Sequence, residues 1–199
     1  NWFIFDAMRG IVTGGFSGDG DAALFPNTSG AENVNTWGVD LTPTGFIAYG
    51  NNIASSGDII YMAIRRGTKV PESATEVFDI DLSGSTAPRF ESSFPVDMAF
   101  WRPTVASNTK IASRLTGKKS LLTNETNSED SANANVWDFM DGFYDGGITS
   151  NYAWMWKRAP GFFDVVAYTG NGVSGRTVSH NLGVAPEMMW VKHRNNGGG

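Results

Sequence analysis

The sequence predicts an all-β protein, built as a sandwich or a barrel of antiparallel strands. Short apolar and aromatic runs follow one another about every 8 to 12 residues with turn residues between them, as in all-β domains. The chain combines 24 glycines with 13% aromatic residues, and aromatic side chains suit the half-buried surface of a pleated strand. Apolar residues show no long run at helical spacing, so strands are expected to dominate.

The predicted strands are bounded by turn residues. The predicted strand at residues 45–49 ends at the Gly50-Asn51 pair, and the one at residues 162–168 ends at the hairpin-like turn of residues 169–172. Alternation along the predicted strand at residues 77–82 places Asp79 and Asp81 on one face. In chain order, the predicted strands cover residues 2–6, 45–49, 59–64, 77–82, 152–158, 162–168, 176–182 and 188–191.

The composition argues against several classes of function. The chain has no cysteine, so it has no disulfides, thiolate metal sites or thiol nucleophiles. A net charge of −5 without a basic cluster argues against nucleic acid as a partner. Apolar runs of about four or five residues are far shorter than the ~20 that span a membrane. We therefore expect no membrane insertion. No nucleophile-elbow, zinc-protease or P-loop motif occurs, so we expect no enzyme activity.

An internal repeat relates two parts of the chain. Residues 24–32, LFPNTSGAE, match residues 121–129, LLTNETNSE, with Asn and Glu at the same spacing. The same features then follow each segment in order: a tryptophan, a Gly-Phe pair, a strand led by tyrosine, a Phe-Asp-apolar triplet, and a proline-led strand ending in arginine. A shared rhythm of turns and strands would not restore Asn and Glu at fixed spacing, so two related sandwich modules are predicted.

The repeat assigns residues 76–158 to one whole sandwich module. It assigns residues 1–70 together with 160–199 to a second module that is split between the chain ends. Joining the ends would give a hairpin, with Trp190 expected to be buried. Three arrangements would supply this pairing: the two ends meet within this chain, a neighbouring subunit supplies the partner strand, or the chain is an excerpt of a longer array. The second is reasonable because an unpaired apolar strand is a template for pairing. Met188–Lys192 is expected to pair with Trp2–Asp6. The residues expected to join the modules are Met188, Trp190 and Lys192 in the first strand and Trp2 and Ile4 in the second.

Several phrases carry a family resemblance. The most specific is FFDVVAYTGNGVSGRTVSHNLGVAPEMMWVKHR at residues 162–194, and the others are NWFIFDAMRG, LFPNTSGAE, GFIAYG and YAWMWKR. Together they resemble tandem modules in tail-fibre-like and other virion proteins of marine bacteriophages. The whole module departs from this pattern, because residues 81–101 lack the SHNLG and TGNG turns. The resemblance implies a lectin-like β-sandwich of the jelly-roll or concanavalin-like kind, located in a virion, and it implies no catalytic site.

Three aromatic side chains share one face of a predicted strand, namely Tyr152, Trp154 and Trp156. Exposed rings at this spacing can stack on sugar rings, which makes them the candidate carbohydrate-binding residues. The alternative is that they fill a sandwich core or a subunit interface. The matching run of the other module, residues 61–65, keeps only its first aromatic ring, which favours the alternative.

The polar residues that recur in the repeat are Asn27 and Glu32 in one module and Asn124 and Glu129 in the other. The simplest interpretation is a structural loop. Asn would accept an unusual turn, and Glu would close the cap of a short helix begun by a neighbouring Ser or Thr. The alternative is a ligand or cation site repeated in each module.

A glycine-rich segment at residues 14–21, GGFSGDGD, is predicted to be a surface loop that holds Asp19 and Asp21. Carboxylates on such loops can bind Ca²⁺, but two are too few for an EF-hand-like loop. A flexible loop is therefore the simpler interpretation, Ca²⁺ binding is the alternative, and no other cofactor is expected.

These observations and the resemblance together predict a structural and adhesive protein of a phage virion, in its tail or fibre. Its expected partners are other copies of itself or other virion proteins, and a host-surface glycan is the candidate ligand. Two alternatives stay open. One is a ligand-free capsid-associated or decoration protein. The other is a glycan-degrading enzyme, which would need two carboxylates about 5–10 Å apart across a concave sheet.

Overall fold

A computed structural model describes residues 3–6, 9, 11, 21–34, 38–42, 45–50, 53, 58–64, 69–130, 135–146 and 150–195. Within these residues the protein is all-β with antiparallel pairing throughout, which confirms the predicted fold class. Two short 3₁₀ turns, Ala74–Glu76 and Arg114–Thr116, interrupt the strands. The strands are β1 (Ala22–Ala23), β2 (Asn33–Val34), β3 (Gly38–Thr42), β4 (Gly45–Tyr49), β5 (Phe78–Leu82), β6 (Phe90–Glu91), β7 (Met98–Pro103), β8 (Lys110–Ser113), β9 (Leu121–Leu122), β10 (Asn135–Val136), β11 (Gly142–Asp145) and β12 (Asn151–Trp156).

A five-stranded sheet and a three-stranded sheet form the main body. The larger sheet has the order β5-β12-β7-β8-β9, and the smaller one has the order β10-β11-β6. Their shared core is rich in aromatic rings: Phe143 stacks on Phe90 with centroids 4.9 Å apart and on Trp137 at 5.1 Å, and Trp101 meets Phe143 edge-on at 5.5 Å. Offset and edge-to-face contacts of this kind add to the stabilisation from burial. The buried cluster consists of Phe90, Phe94, Val96, Ala99, Trp101, Ala112, Trp137, Phe143, Ala153 and Met155.

A buried ion pair holds the 3₁₀ turn against the larger sheet. The Arg114 guanidinium lies 3.3 Å from an Asp97 carboxylate oxygen, and both side chains are almost fully buried. The other Asp97 oxygen accepts a hydrogen bond from the backbone N–H of Arg158 at 2.7 Å. Arg114 also donates to the carbonyl of Trp137. These bonds tie the loops around β7, β8 and β12 together.

Among the described residues between 3 and 49, several backbone pairings resemble those of the main body. Ile4 bridges Leu24, and Leu121, the residue that matches Leu24 in the repeat, pairs with Ile111 in the same antiparallel sense. Likewise Ala23 pairs with Asn33, and Ser120 bridges Asp130 at the matching positions. The hairpin of β3 and β4 corresponds in position to that of β10 and β11. The two repeated loops with Asn and Glu are therefore closed by similar pairings, whereas the two hairpins differ in register by one residue.

Several predicted strands are not strands here. Residues 59–64, 162–168, 176–182 and 188–191 belong to no named strand, although the chain pairs briefly at Ala159 and Phe163. These predictions were wrong because an apolar, β-prone run becomes a strand only where a partner completes its backbone hydrogen bonds. The core cluster lies between Phe90 and Met155, and the assignment of residues 1–70 with 160–199 to one module stays a prediction.

The described residues of Trp2–Asp6 do not pair with Met188–Lys192 within the chain, and pairing of these segments with a neighbouring subunit or in a longer array stays a prediction. Ile4 instead exchanges both of its backbone hydrogen bonds with Leu24, at 2.9 and 3.1 Å. Trp190 is 61% exposed rather than buried. Trp2 lies outside the described residues.

Candidate functional site

The outer face of the five-stranded sheet is apolar and aromatic. A solvent-facing side of an antiparallel sheet is usually polar, so this face is unusual. Alternation along β12 buries Asn151, Ala153 and Met155 and turns the three predicted aromatic residues outward. The outward positions form three rows across β5, β12 and β7. These are Leu82, Tyr152 and Arg102; Ile80, Trp154 and Phe100; and Phe78, Trp156 and Met98.

One end of this face is covered by the segment that follows β12. Trp190 stacks on Phe100 with ring centroids 4.8 Å apart and an interplanar angle of 25°, and it meets Trp156 nearly at right angles at 6.4 Å. Phe163 also approaches Trp156, at 6.1 Å. We call the row of Phe78, Trp156 and Met98, together with Phe100, the covered end.

Polar bonds hold the covering segment in place at both of its ends. Near its start, the buried Asp164 carboxylate accepts from the Arg158 Nε at 2.6 Å and from the backbone N–H of Asn181 at 2.7 Å. Near its far end, Arg194 binds both carboxylate oxygens of Glu129. Because both anchors are charge-assisted hydrogen bonds, which are stronger than neutral ones, the segment is fixed across the sheet.

The opposite end of the face stays accessible. Tyr152 is 44% exposed, and Leu82 beside it is 48% exposed. Arg102, across the strand from Tyr152, is exposed, and Trp154 in the next row is half-buried. We call Leu82, Tyr152, Arg102, Ile80 and Trp154 the open end. It presents two aromatic rings and a guanidinium on rigid strands of the fold.

The chemistry of the open end suits binding. Aromatic rings can pack against apolar faces of a flat ligand, and a guanidinium donates hydrogen bonds to hydroxyl or carboxylate oxygens. The three outward rows contain no Asp or Glu side chain. A carboxylate pair of the kind used for glycoside cleavage is therefore not on this part of the face. The absence of enzyme activity stays a prediction.

The repeated glutamates each bind an arginine. Glu129 is the partner of Arg194, and Lys119 lies 3.6 Å from the same carboxylate. Glu32 lies 3.1 Å from the Nε of Arg9, which also pairs with Asp6. The predicted helix cap was wrong, because the described residues around both glutamates contain no helix.

The repeated asparagines lie on exposed turns. The Asn124 amide donates to Asn108 Oδ1 at 2.9 Å, which links two loops at one end of the larger sheet. Asn27 is exposed beside a turn closed by the hydrogen bond from Thr28 N–H to the Phe25 carbonyl, at 3.0 Å. A repeated ligand or cation site at these loops stays a prediction.

The structure gives Asp21 a structural contact. Its side chain is buried and accepts from the backbone N–H of Val39 at 2.6 Å, which connects the start of β1 to β3. A Cβ atom on Gly38 would lie 2.2 Å from the same carboxylate, so this close approach needs glycine. Asp19 lies outside the described residues. Among those described, no group of three or more His, Asp or Glu residues could hold a metal ion, and Ca²⁺ binding stays a prediction.

Sequence reasoning missed three contributors to the outer face, namely Phe100, Arg102 and Trp190. Alternation along residues 98–103 would have placed Phe100 and Arg102 on one side, opposite Ala99 and Trp101. The contact between Trp190 and Phe100 has no local signal, because it joins residues far apart in the chain.

The comparisons with known proteins add one finding. The family described as Domain of unknown function (DUF7483) matches residues 144–198, a little over a quarter of the chain. This match covers β12 and the segment that crosses the outer face. Neither curated proteins nor solved structures give a significant match. No helix among the described residues is long and apolar enough to cross a membrane.

Proposed function

We propose that the chain is a structural and adhesive component of a phage virion, in its tail or fibre, and that it contacts a host-surface glycan. The observation that carries the adhesive part is the open end of the outer face, where Tyr152 and Trp154 stand beside Arg102 on adjacent strands. The resemblance of residues 162–194 to virion modules supports the virion assignment. The expected partners, which are other copies of the chain or other virion proteins, and the location in a virion belong to the same proposal.

The geometry supports sugar binding in a specific way. Tyr152 and Arg102 are directly opposite each other on β12 and β7, so one sugar ring can lie on the phenol while the guanidinium donates to its oxygens. Ile80 and Leu82 add exposed apolar area next to the ring. Because both strands are central in the sheet, the groups are positioned before the ligand arrives, which reduces the entropy lost on binding.

The test is a glycan array with neutral and uronate-containing oligosaccharides, followed by titration of each positive sugar. We expect Tyr152→Ala and Arg102→Ala each to weaken binding by about tenfold, corresponding to ~1.4 kcal/mol. Tyr168→Ala is the matched control, because Tyr168 is an exposed tyrosine outside this face. Binding that survives both test substitutions, or no binding to any sugar, would refute the adhesive part.

A second function is a ligand-free capsid-associated or decoration protein. It is favoured by a different observation, the exposure of large apolar side chains in residues 59–64 and 188–191. Exposed apolar patches of this kind usually belong to interfaces. An array without any bound sugar, from a chain that still assembles, would favour this function over the first.

A further inference from the structure

Two short segments expose nearly all of their large apolar side chains. Ile60 is 88% exposed and Met62 is 83% exposed in residues 59–64. Met189 is 75% exposed and Val191 is 74% exposed in residues 188–191. The sequences IIYMAI and MMWV are rich in β-forming residues. Each is therefore a run with strand composition and without a strand's partner in the structure.

The repeat indicates which partners are missing. Residues 61–65 correspond to the start of β12, and residues 186–194 correspond to the proline-led run that contains β7. In the whole module, β12 pairs with β7 along its entire length, from Asn151 opposite Pro103 to Trp156 opposite Met98. The counterparts of these two strands should therefore be antiparallel neighbours in a completed second sheet.

Within one chain, other contacts hold the two segments. The end of residues 188–194 is bound to the whole module by the Arg194–Glu129 ion pair, and Lys192 donates to the carbonyl of Glu125. Tyr61 packs edge-on against Phe46 of β4 with ring centroids 5.1 Å apart. Each segment is anchored while its remaining apolar side chains face outward.

We propose that residues 59–64 of one copy pair in antiparallel fashion with residues 188–192 of a second copy, which completes the second sheet between chains. The contact is heterologous, because two different segments meet, and it would bury the apolar side chains that each copy leaves exposed. This inference rests on the assembly part of the proposed function and is independent of the glycan part.

The absence of cysteine in the chain allows a direct test. In β12 and β7 Met155 is opposite Ala99, so the corresponding residues Ile64 and Trp190 should face each other. Ile64→Cys in one preparation is therefore mixed with Met189→Cys, Trp190→Cys or Val191→Cys in another, under mild oxidation. Facing residues on paired strands come within the Cβ separation that a disulfide requires. Because side chains alternate along a strand, we expect strong cross-linking at Trp190→Cys and much weaker cross-linking at Met189→Cys and Val191→Cys.

The control pair is Val105→Cys mixed with Val173→Cys, two exposed valines at which no pairing is expected. A mixed dimer on a non-reducing gel at the test positions, with much less at the control pair, supports the proposal. Equal cross-linking at test and control positions overturns it. Loss of the mixed dimer in favour of an internal disulfide in the Ile64→Cys, Trp190→Cys double variant also overturns it.

Sedimentation separates this inference from the proposed function. We expect the wild-type chain to assemble and the Ile60→Lys, Met62→Lys double variant to remain monomeric and folded, because both side chains are already exposed and lysine on an edge opposes strand pairing. Assembly that persists in this variant overturns the inference and leaves the assembly role standing. A wild-type chain that is monomeric at every concentration overturns both.

Discussion

Arg194 is bound to Glu129 by two hydrogen bonds, with its Nε 2.8 Å from Oε2 and its Nη2 3.2 Å from Oε1. The backbone N–H of Glu129 also donates to the carbonyl of Arg194 at 2.8 Å. Glu129 was notable in the sequence for its place in the repeat, and its contact in the fold is with the end of the segment that covers the aromatic face. This contact connects the repeated loop to the accessibility of the outer sheet.

Arg194→Ala should loosen the covering segment. The lost bonds are charge-assisted and mostly shielded from solvent, so the free energy of local opening should fall by about 1–3 kcal/mol. Amide hydrogen exchange of residues 186–195 measures this as faster exchange. Arg176→Ala is the control, because the exposed Arg176 donates to the carbonyl of Thr169 and lies over the ring of Tyr168, away from residues 186–195 in the sequence. Equal protection in Arg194→Ala and the wild type would contradict the anchoring role.

Asp97→Ala should destabilise the whole module. The substitution leaves the buried Arg114 without its carboxylate and removes the acceptor of the Arg158 N–H. Breaking a buried ion pair by removing one partner costs about 3–5 kcal/mol, which a urea midpoint would register. Glu72→Ala breaks the exposed pair with Lys69 and should change stability by less than about 1 kcal/mol. Similar midpoints for the two variants would argue against the buried pair as a major support.

Gly142→Ala should be severely destabilising, whereas Gly45→Ala, at the matching repeat position, should be tolerated. Gly142 has φ of +154°, and a Cβ there would lie 2.0 Å from the carbonyl oxygen of Phe90 on the paired strand. At Gly45 the nearest atom to a Cβ, the Thr42 hydroxyl, is 3.7 Å away. Thermal denaturation compares the two. A larger loss of melting temperature at Gly45 would contradict the packing of β11 on β6.

Alkaline pH should weaken the β3–β4 hairpin through Tyr49. Burial raises the pKa of Tyr49 above its ordinary value of 10.0, and the hydrogen bond from its phenol to Asp40 and the charge of Asp40 raise it further. The fold therefore favours the neutral phenol. Its contribution to stability is complete below the unfolded pKa and is lost as pH rises through the folded value.

Asp40→Asn should lower the pKa of Tyr49 toward its ordinary value, as measured by phenolate absorbance with Tyr49→Phe to assign the signal. Tyr168→Phe, which removes an exposed tyrosine elsewhere in the chain, is the control substitution. An unchanged Tyr49 titration in Asp40→Asn would show that Asp40 does not act on the phenol.

Local patterns predicted strands correctly where the fold supplies a partner strand. The run at residues 45–49 is β4, the run at 77–82 contains β5, and alternation correctly put Tyr152 and Trp154 on the face opposite Met155. Residues 59–64 have an equally strong strand composition but no backbone partner, so propensity alone was misleading there. The covering of Phe100 by Trp190 depends on tertiary contacts between distant residues, and no local pattern contains that information.

The most direct test of the proposed function is a titration of the ¹⁵N-labelled chain with the best oligosaccharide from the array, followed through the tryptophan indole N–H signals. We expect the Trp154 signal to shift in a saturable way, because its ring borders the open end. The signals of Trp101 and Trp137 should stay in place, because both rings are buried in the core. A Trp154 signal that does not move while another part of the chain responds, or no response to any sugar, would contradict the account.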